Sequence, residues 1–303
     1  MADIIIVGAG PAGLSAAIYA RRAGMETVLY EGEMYGGQII NTPSVENYPA
    51  IAKISGFDFA NDLYKQAMNL GATLEYERVS SVSKTPSGFE VTLDSGKTDT
   101  AKAVILAVGA SNRHLGIDGE EELLGKGISY CATCDGSFYK DKVVAVTGGG
   151  NTAVEDAIYL AGIASKVYLI HRRNEFRADD VLVNTAKGLL NLEIVTPYVV
   201  EKLTGDPKLS ELELTNREDG SKRNIDVDGL FVAIGQEPKT AEFKDLVTLQ
   251  GGYIEAGENC KTNVEGLFAA GDARVKKVRQ LTTACADGAV AALAAIDYIK
   301  LGI

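Results

Sequence analysis

The chain carries one local pattern twice. Ile4–Val7 is a short apolar run that ends in Gly8-Ala9-Gly10-Pro11-Ala12-Gly13. Val143–Val146 is another, and it leads into Gly148-Gly149-Gly150-Asn151-Thr152-Ala153. A helical stretch (Leu14 to Arg22), a strand-like Thr27–Tyr30 and the acid Glu31 follow the first cluster; Val154–Ala161, Val167–Ile170 and His171 follow the second. Gly8 to Glu31 and Gly148 to His171 span the same 23 positions. A strand that runs into a glycine turn and then a helix opens a βαβ unit, with the helix N-terminus aimed at a phosphate. Equal spacing in both stretches points to two copies of one dinucleotide-binding unit. Each copy also has a later strand end of one kind, Val104–Gly109 in the first and Leu230–Gly235 in the second.

A third run of this type, Gly266–Asp272, falls after the second copy is complete. Its natural place is back in the first domain, with the alanine-rich segment 284–298 as closing helix. The expected fold is therefore α/β, with two Rossmann-like dinucleotide-binding domains, the second inserted into the first. Polar, turn-rich crossings near Arg113–Asp118 and Glu237–Asp245 give domains of 1–117 with 244–303, and 118–243. Phe89–Leu93, followed by Asp94-Ser95-Gly96, reads as part of a hairpin layer. The 303 residues suit two domains of ordinary size, and the 46% hydrophobic content suits a globular α/β chain. A net charge of −11 argues against non-specific binding to nucleic acid or anionic membrane. With no apolar run near 18 residues and no basic leader before Ile4, a cytoplasmic protein is expected.

In the first cluster, Gly8 allows a tight turn, Gly10 lets backbone approach a pyrophosphate, and Gly13 lets helix and strand pack closely. Glu31 stands where an acid accepts ribose hydroxyls, although a glycine-rich structural turn is the plainer alternative. At the matching place the second copy has His171-Arg172-Arg173, with Arg177 four residues on. An acid suits a free 2′-hydroxyl, whereas arginines suit a 2′-phosphate through charge-assisted bonds. The second ligand is thus expected to be NADPH, unless these cations are only a solvated cluster.

Cys131-Ala132-Thr133-Cys134-Asp135-Gly136 lies between the two glycine clusters. Two intervening residues let both sulfurs close a small disulfide ring, and such a motif lowers one thiolate pKa. A dithiol between two nucleotide sites suggests an electron relay from nicotinamide through flavin to the cysteines. Asp135 is the candidate proton carrier, because each two-electron exchange also moves protons. Zinc would need a second ligand pair, and Cys260, Cys285, His114 and His171 do not form one, so no metal is expected. Cys260 and Cys285 read as buried apolar residues.

Taken together, these segments resemble the low-molecular-weight, bacterial-type thioredoxin reductases. The resemblance runs nearly end to end. It covers Gly8–Gly13, Gly36-Gly37-Gln38, Val45–Pro49, the Cys131–Gly136 hexapeptide, Gly148–Ala153, His171–Arg173 with Phe176-Arg177-Ala178, and Phe268–Asp272 with Arg279-Gln280. It implies FAD in the first domain, NADPH in the second, thioredoxin as the protein partner, and a homodimer formed mainly through the FAD domains. It implies that Cys131 attacks thioredoxin, that Cys134 lies against the flavin ring, and that Asp135 acts as acid. FAD contacts are implied at Gly8, Gly10, Ala12, Gly13, Glu31, Gly37, Gln38, Asn47, Val79, Ala107, Gly109, Gly271, Asp272, Arg279, Gln280 and Leu281. NADPH contacts are implied at Gly150, Asn151, Thr152, Ala153, His171, Arg172, Arg173, Arg177, Ile234 and Gly235. A body movement of the inserted domain, alternating dithiol and nicotinamide at the flavin, is also expected.

The chain departs from the family pattern at two places: it lacks an acid near Val275, and Ser137 replaces an aromatic. A cysteine or selenocysteine tail and a thioredoxin-like extension are also missing, which points away from the large reductases and from peroxidase-coupled ones. Two other readings keep the dithiol. A ferredoxin-fed reductase would dispense with the second glycine cluster and the arginine pair, and a redox-sensing flavoprotein would show no turnover.

Overall fold

The computed structural model describes residues 1–302. It divides into two compact units, 1–111 with 237–303, and 112–236. The divisions fall a few residues before those expected from turn-rich composition. They lie in two short strands, β7 (Ala110–Asn112) and β16 (Gln236–Pro238), which pair with each other as a two-stranded sheet. Ladder hydrogen bonds, which composition does not reveal, hold the crossings there. Arg113 N–H donates to Gly235 O at 3.0 Å, and Gln236 Nε2 donates to Asn112 Oδ1 at 3.0 Å.

The first unit opens with β1 (Ala2–Val7), α1 (Pro11–Arg22) and β2 (Thr27–Tyr30). It continues with α2 (Gly56–Asn69), β3 (Thr73–Glu75), β4 (Val79–Thr85), β5 (Gly88–Leu93) and β6 (Thr98–Leu106). Ile4, Ile5 and Ile6 are all fully buried, as befits a parallel strand covered on both faces. Pro11 starts α1, where its missing N–H costs nothing. Ser55 caps α2 by accepting from Asp58 N–H.

The inserted unit contains β8 (Ile128–Ser129), the short α3 (Ala132–Asp135), β9 (Val143–Thr147), α4 (Asn151–Ala161) and β10 (Lys166–Ile170). Then come α5 (Asp180–Lys187), β11 (Leu192–Val195), the antiparallel β12 (Tyr198–Thr204), β13 (Glu211–Asn216) and β14 (Lys222–Asp226), and β15 (Gly229–Val232). Its parallel sheet runs β11-β10-β9-β15-β8. Val144, Val146, Val167 and Leu169 pack with the helices, while Ala145, Ile170, Leu230 and Val232 pack under the antiparallel layer. Alternate residues of each strand thus serve two cores.

The chain then completes the first unit with the β17 (Leu249–Gln250) and β18 (Tyr253–Ile254) hairpin, β19 (Leu267–Ala269) and α6 (Leu281–Leu301). The parallel part of its sheet runs β3-β2-β1-β6-β19. The N-terminal half of β6 pairs instead with β5 in the antiparallel layer. Helix α6 lies along α1, and small residues permit it: a Cβ on Gly288 would stand 2.1 Å from Ala12 O.

The two units agree register for register. Val7 faces Tyr30 and Leu106, just as Thr147 faces Ile170 and Val232. In the first unit Val104 faces Leu267, and in the second Leu230 faces Ile128. Strand β8 therefore occupies the place of β19. Counting on from these pairs, Cys131 stands where the first unit has Ala270, one residue before Gly271-Asp272.

Candidate active site and nucleotide sites

At the first glycine turn the backbone leaves no room for a side chain at Gly8 or Gly13. Gly8 has φ +102°, and a Cβ there would lie 2.5 Å from Ala107 O. A Cβ on Gly13 would lie 1.9 Å from Gly8 O, so α1 sits directly on the turn. Gly10 faces open space, its nearest neighbour being Gly37 Cα at 3.9 Å. Glu31 Oε2 accepts from Ala9 N–H at 2.8 Å, and Oε1 accepts from Glu33 N–H at 3.1 Å. The carboxylate is thereby fixed beside the turn with lone pairs to spare. Val79 begins β4 in the core, next to Arg78, whose Cβ would lie 3.1 Å from a Cβ on Gly32. Gly109, at φ +67°, has open space around it.

The other residues of this group converge from distant parts of the first unit. Gln38 Nε2 donates to Ala110 O. Asn47 Nδ2 donates to Gln280 Oε1 at 3.1 Å. Gln280 in turn caps α6 through a reciprocal pair with Thr283, so Leu281 begins the helix. Gly271, at φ +75°, approaches Ala12 closely enough that a Cβ would be 2.9 Å from Ala12 Cβ. Arg279 stacks on Tyr253, guanidinium to ring centroid 4.0 Å.

Two buried polar atoms here have no hydrogen-bond partner among the described residues, Asp272 Oδ1 and Arg279 Nε. Burial pushes the Asp272 carboxyl above its ordinary range, against the pull of Lys276 and Arg279. An unpartnered buried acceptor and donor beside a glycine cradle fit a ligand that brings hydroxyls and an anion.

The second turn repeats the first. A Cβ on Gly148 would meet Ala233 O at 2.3 Å and Ala153 Cβ at 2.6 Å, whereas Gly150 faces open space. Asn151 and Thr152 are exposed at the start of α4. Asn151 is clamped to Asp179, with Nδ2 to Oδ2 and Asp179 N–H to Oδ1 both at 2.9 Å. His171 is buried under Gly149, where a Cβ would stand 2.1 Å from its ring. Burial and the neighbouring arginines lower its pKa, and the neutral ring donates from Nε2 to Glu175 O at 3.2 Å. Arg172, Arg173 and Arg177 are exposed, and none pairs with a carboxylate among the described residues. Arg177 N–H donates to Gly149 O at 2.8 Å, which brings this arginine to the turn. Ile234 and Gly235 close the end of β15, across from Arg113.

Cys131 and Cys134 are joined in a disulfide, their Cα atoms 5.3 Å apart, and both are half-buried. Cys131 O accepts from Cys134 N–H at 3.3 Å and from Asp135 N–H at 3.1 Å, which makes the single turn of α3. Ser129 organises the group. Its Oγ accepts from Cys131 N–H at 3.0 Å and donates to Asp135 Oδ2 at 2.6 Å. Burial raises the Asp135 carboxyl above its ordinary range, and the Ser129 bond only partly offsets this. A proton can thus reside on Asp135 more readily than on an exposed aspartate.

Residues 2–288 match the family of the pyridine nucleotide-disulphide oxidoreductases. The chain belongs to that family. It is 46% identical over 309 residues to a thioredoxin reductase of Helicobacter pylori, covering 99% of both chains. A thioredoxin reductase of Treponema pallidum is 43% identical over 298 residues, covering 98% of this chain and 97% of its own. Among solved structures, the thioredoxin reductase of Streptococcus pyogenes superposes with a TM-score of 0.95 at 37% identity, covering 99% of this chain and 98% of the other. Within the family, the chain stands among the low-molecular-weight thioredoxin reductases. Its cofactors are accordingly a flavin and a nicotinamide nucleotide.

Sequence reasoning missed Ser129 and Asp287. Ser129 carries no motif signal beyond its place before Cys131. Asp287 is a buried acid inside α6 that accepts from Gly271 N–H at 3.0 Å, from Arg274, and from Lys276 Nζ at 2.8 Å. Cys260 and Cys285 are buried free thiols, and burial pushes both up to about 11. Among the described residues no group of three His, Cys, Asp or Glu could hold a metal ion, and no helix is long and apolar enough to cross a membrane.

Proposed function

We propose that the chain is an NADPH-dependent, FAD-containing thioredoxin-disulfide reductase. The observation that carries the reading is the Cys131–Cys134 disulfide with Asp135 held beside it by Ser129, in a chain similar over its whole length to thioredoxin reductases. The first unit, with the glycine turn, Glu31, Asp272 and Arg279, would hold FAD. The second, with Gly150 and the three arginines, would hold NADPH. The bound flavin would supply two-electron transfer between nicotinamide and disulfide. A homodimer in the cytoplasm belongs to the same reading.

The chain's own part is thiol chemistry. Once reduced, Cys131 as thiolate attacks one sulfur of the partner's disulfide, and the other partner sulfur leaves as thiolate. Cys134 then attacks Cys131 Sγ, which restores the intramolecular disulfide and releases the second partner sulfur. Each released thiolate takes up a proton, and Asp135 is placed to pass one. Motion at the two crossings would let one unit present its dithiol and its nucleotide turn by turn. Steady-state oxidation of NADPH with thioredoxin and a thiol-reactive dye tests the reading; NADPH consumption with no thiol product would overturn it.

A further inference from the structure

Glu120 has 4% of its surface exposed and no part in the chemistry above. Its Oε1 accepts from Leu115 N–H at 2.9 Å and from the Tyr130 hydroxyl at 2.7 Å, and Oε2 accepts from Gly116 N–H at 2.9 Å. The phenol gives its single proton to this carboxylate, so the His114 Nδ1 found 2.9 Å from the phenol oxygen must be the donor there. The His114 and Tyr130 rings meet edge to face, with centroids 5.3 Å apart. A buried carboxylate is costly unless its bonds are complete, and here they join two functional segments.

One segment is the exit of the first crossing: Leu115 and Gly116 come three and four residues after Asn112, the end of β7. The other is the dithiol strand, because Tyr130 directly precedes Cys131. Ser129 faces Asp135, while Tyr130 packs with Ile128 in the core on the other side of the sheet. The residues before Cys131 are therefore held on two faces.

We propose that Glu120 and Tyr130 form a latch that ties the exit of the first crossing to the dithiol strand, making Glu120 a positioning residue for Cys131. The proposal rests on the thioredoxin-disulfide reductase reading. Glu120→Gln, Tyr130→Phe and the double variant test it in the holoenzyme through three measurements. These are NADPH-driven ferricyanide reduction, which bypasses the dithiol, kcat/KM for thioredoxin, and iodoacetamide alkylation of Cys131 in a Cys134→Ser background.

Ferricyanide reduction should stay within about twofold of the parent, while kcat/KM for thioredoxin and the alkylation rate each change about tenfold, the scale of a bond to a charged group. The double variant should be no worse than the worse single one, because both remove one interaction. Unchanged alkylation and thioredoxin turnover in both single variants, or additive losses in the double, would overturn the latch. Tyr130→Phe keeps the ring packing and decides the matter if Glu120→Gln fails to fold. A parent enzyme that reduces ferricyanide but not thioredoxin would defeat the functional reading, and alkylation would still report on the latch.

Discussion

Asp287 grips Arg274 through two parallel bonds away from solvent, Nε to Oδ2 at 2.8 Å and Nη2 to Oδ1 at 2.7 Å. The same carboxylate holds the Gly271 N–H, so this ion pair also fixes the turn that carries Asp272. Burial alone would push the Asp287 carboxyl up, but bonds to Arg274 and Lys276 outweigh it and hold the group below the ordinary range. A depressed pKa contributes stability that is present above the unfolded value and lost as pH falls through the folded one.

Breaking a buried pair leaves an uncompensated charge. Asp287→Ala should therefore destabilise the protein by about 3–5 kcal/mol. Flavin bound per chain should fall with it. Urea unfolding at pH 7, with flavin absorbance per chain, checks both. A loss under about 1 kcal/mol would mean that solvent reaches Arg274.

Asp156, on α4, makes no side-chain hydrogen bond among the described residues, and burial, with Glu155 adding to it, pushes its carboxyl up to about 7. Between about pH 4 and 7 the folded chain keeps a proton that the unfolded chain has released. Stability from this group therefore declines as pH rises across that window. Asp156→Asn should stabilise by roughly 2 kcal/mol at pH 8 and by almost nothing at pH 4. Thermal unfolding of both proteins at the two pH values measures it, and equal gains at both would refute the assignment.

On the proposed reading, the exposed Arg172, Arg173 and Arg177 decide coenzyme choice. Replacing Arg172 and Arg173 with neutral residues should raise KM for NADPH by more than about tenfold, because bonds to a charged phosphate are worth roughly 1.5–3 kcal/mol. NADH turnover should barely change. Equal losses with both coenzymes would show that the arginines support the fold instead.

The two cysteines should behave unequally. With thioredoxin, Cys134→Ser should accumulate a mixed disulfide through Cys131, since no second thiol is left to resolve it. Cys131→Ser should accumulate none. Non-reducing electrophoresis and mass spectrometry separate the outcomes, and the opposite pattern would swap the roles.

Much of this molecule was legible because its two halves share one spacing. The stretches Gly8–Glu31 and Gly148–His171 declare their strands and turns through local glycine chemistry, and the Gly266–Asp272 run could be returned to the first domain, although its pairing with β6 could not be read. Strand β8, only Ile128–Ser129, has no period to read. The crossings lie in β7 and β16, at the leading edges of the polar stretches that begin at Arg113 and Glu237, because pairing between distant segments decides that boundary. Asp287 and Glu120 were invisible for a related reason. Their meaning lies in partners brought close by the fold, and nothing in their immediate neighbours marks them.

The matching register of β8 and β19 has one more consequence. The same sheet position ends in Gly271-Asp272 in one half and in the cysteine turn in the other. A repeated scaffold thus offers a spare mouth: on the proposed reading one copy keeps it for gripping a ligand, while the other mounts the cysteine pair there. New chemistry then arrives by respecifying a few residues at a strand terminus, with the supporting architecture left alone.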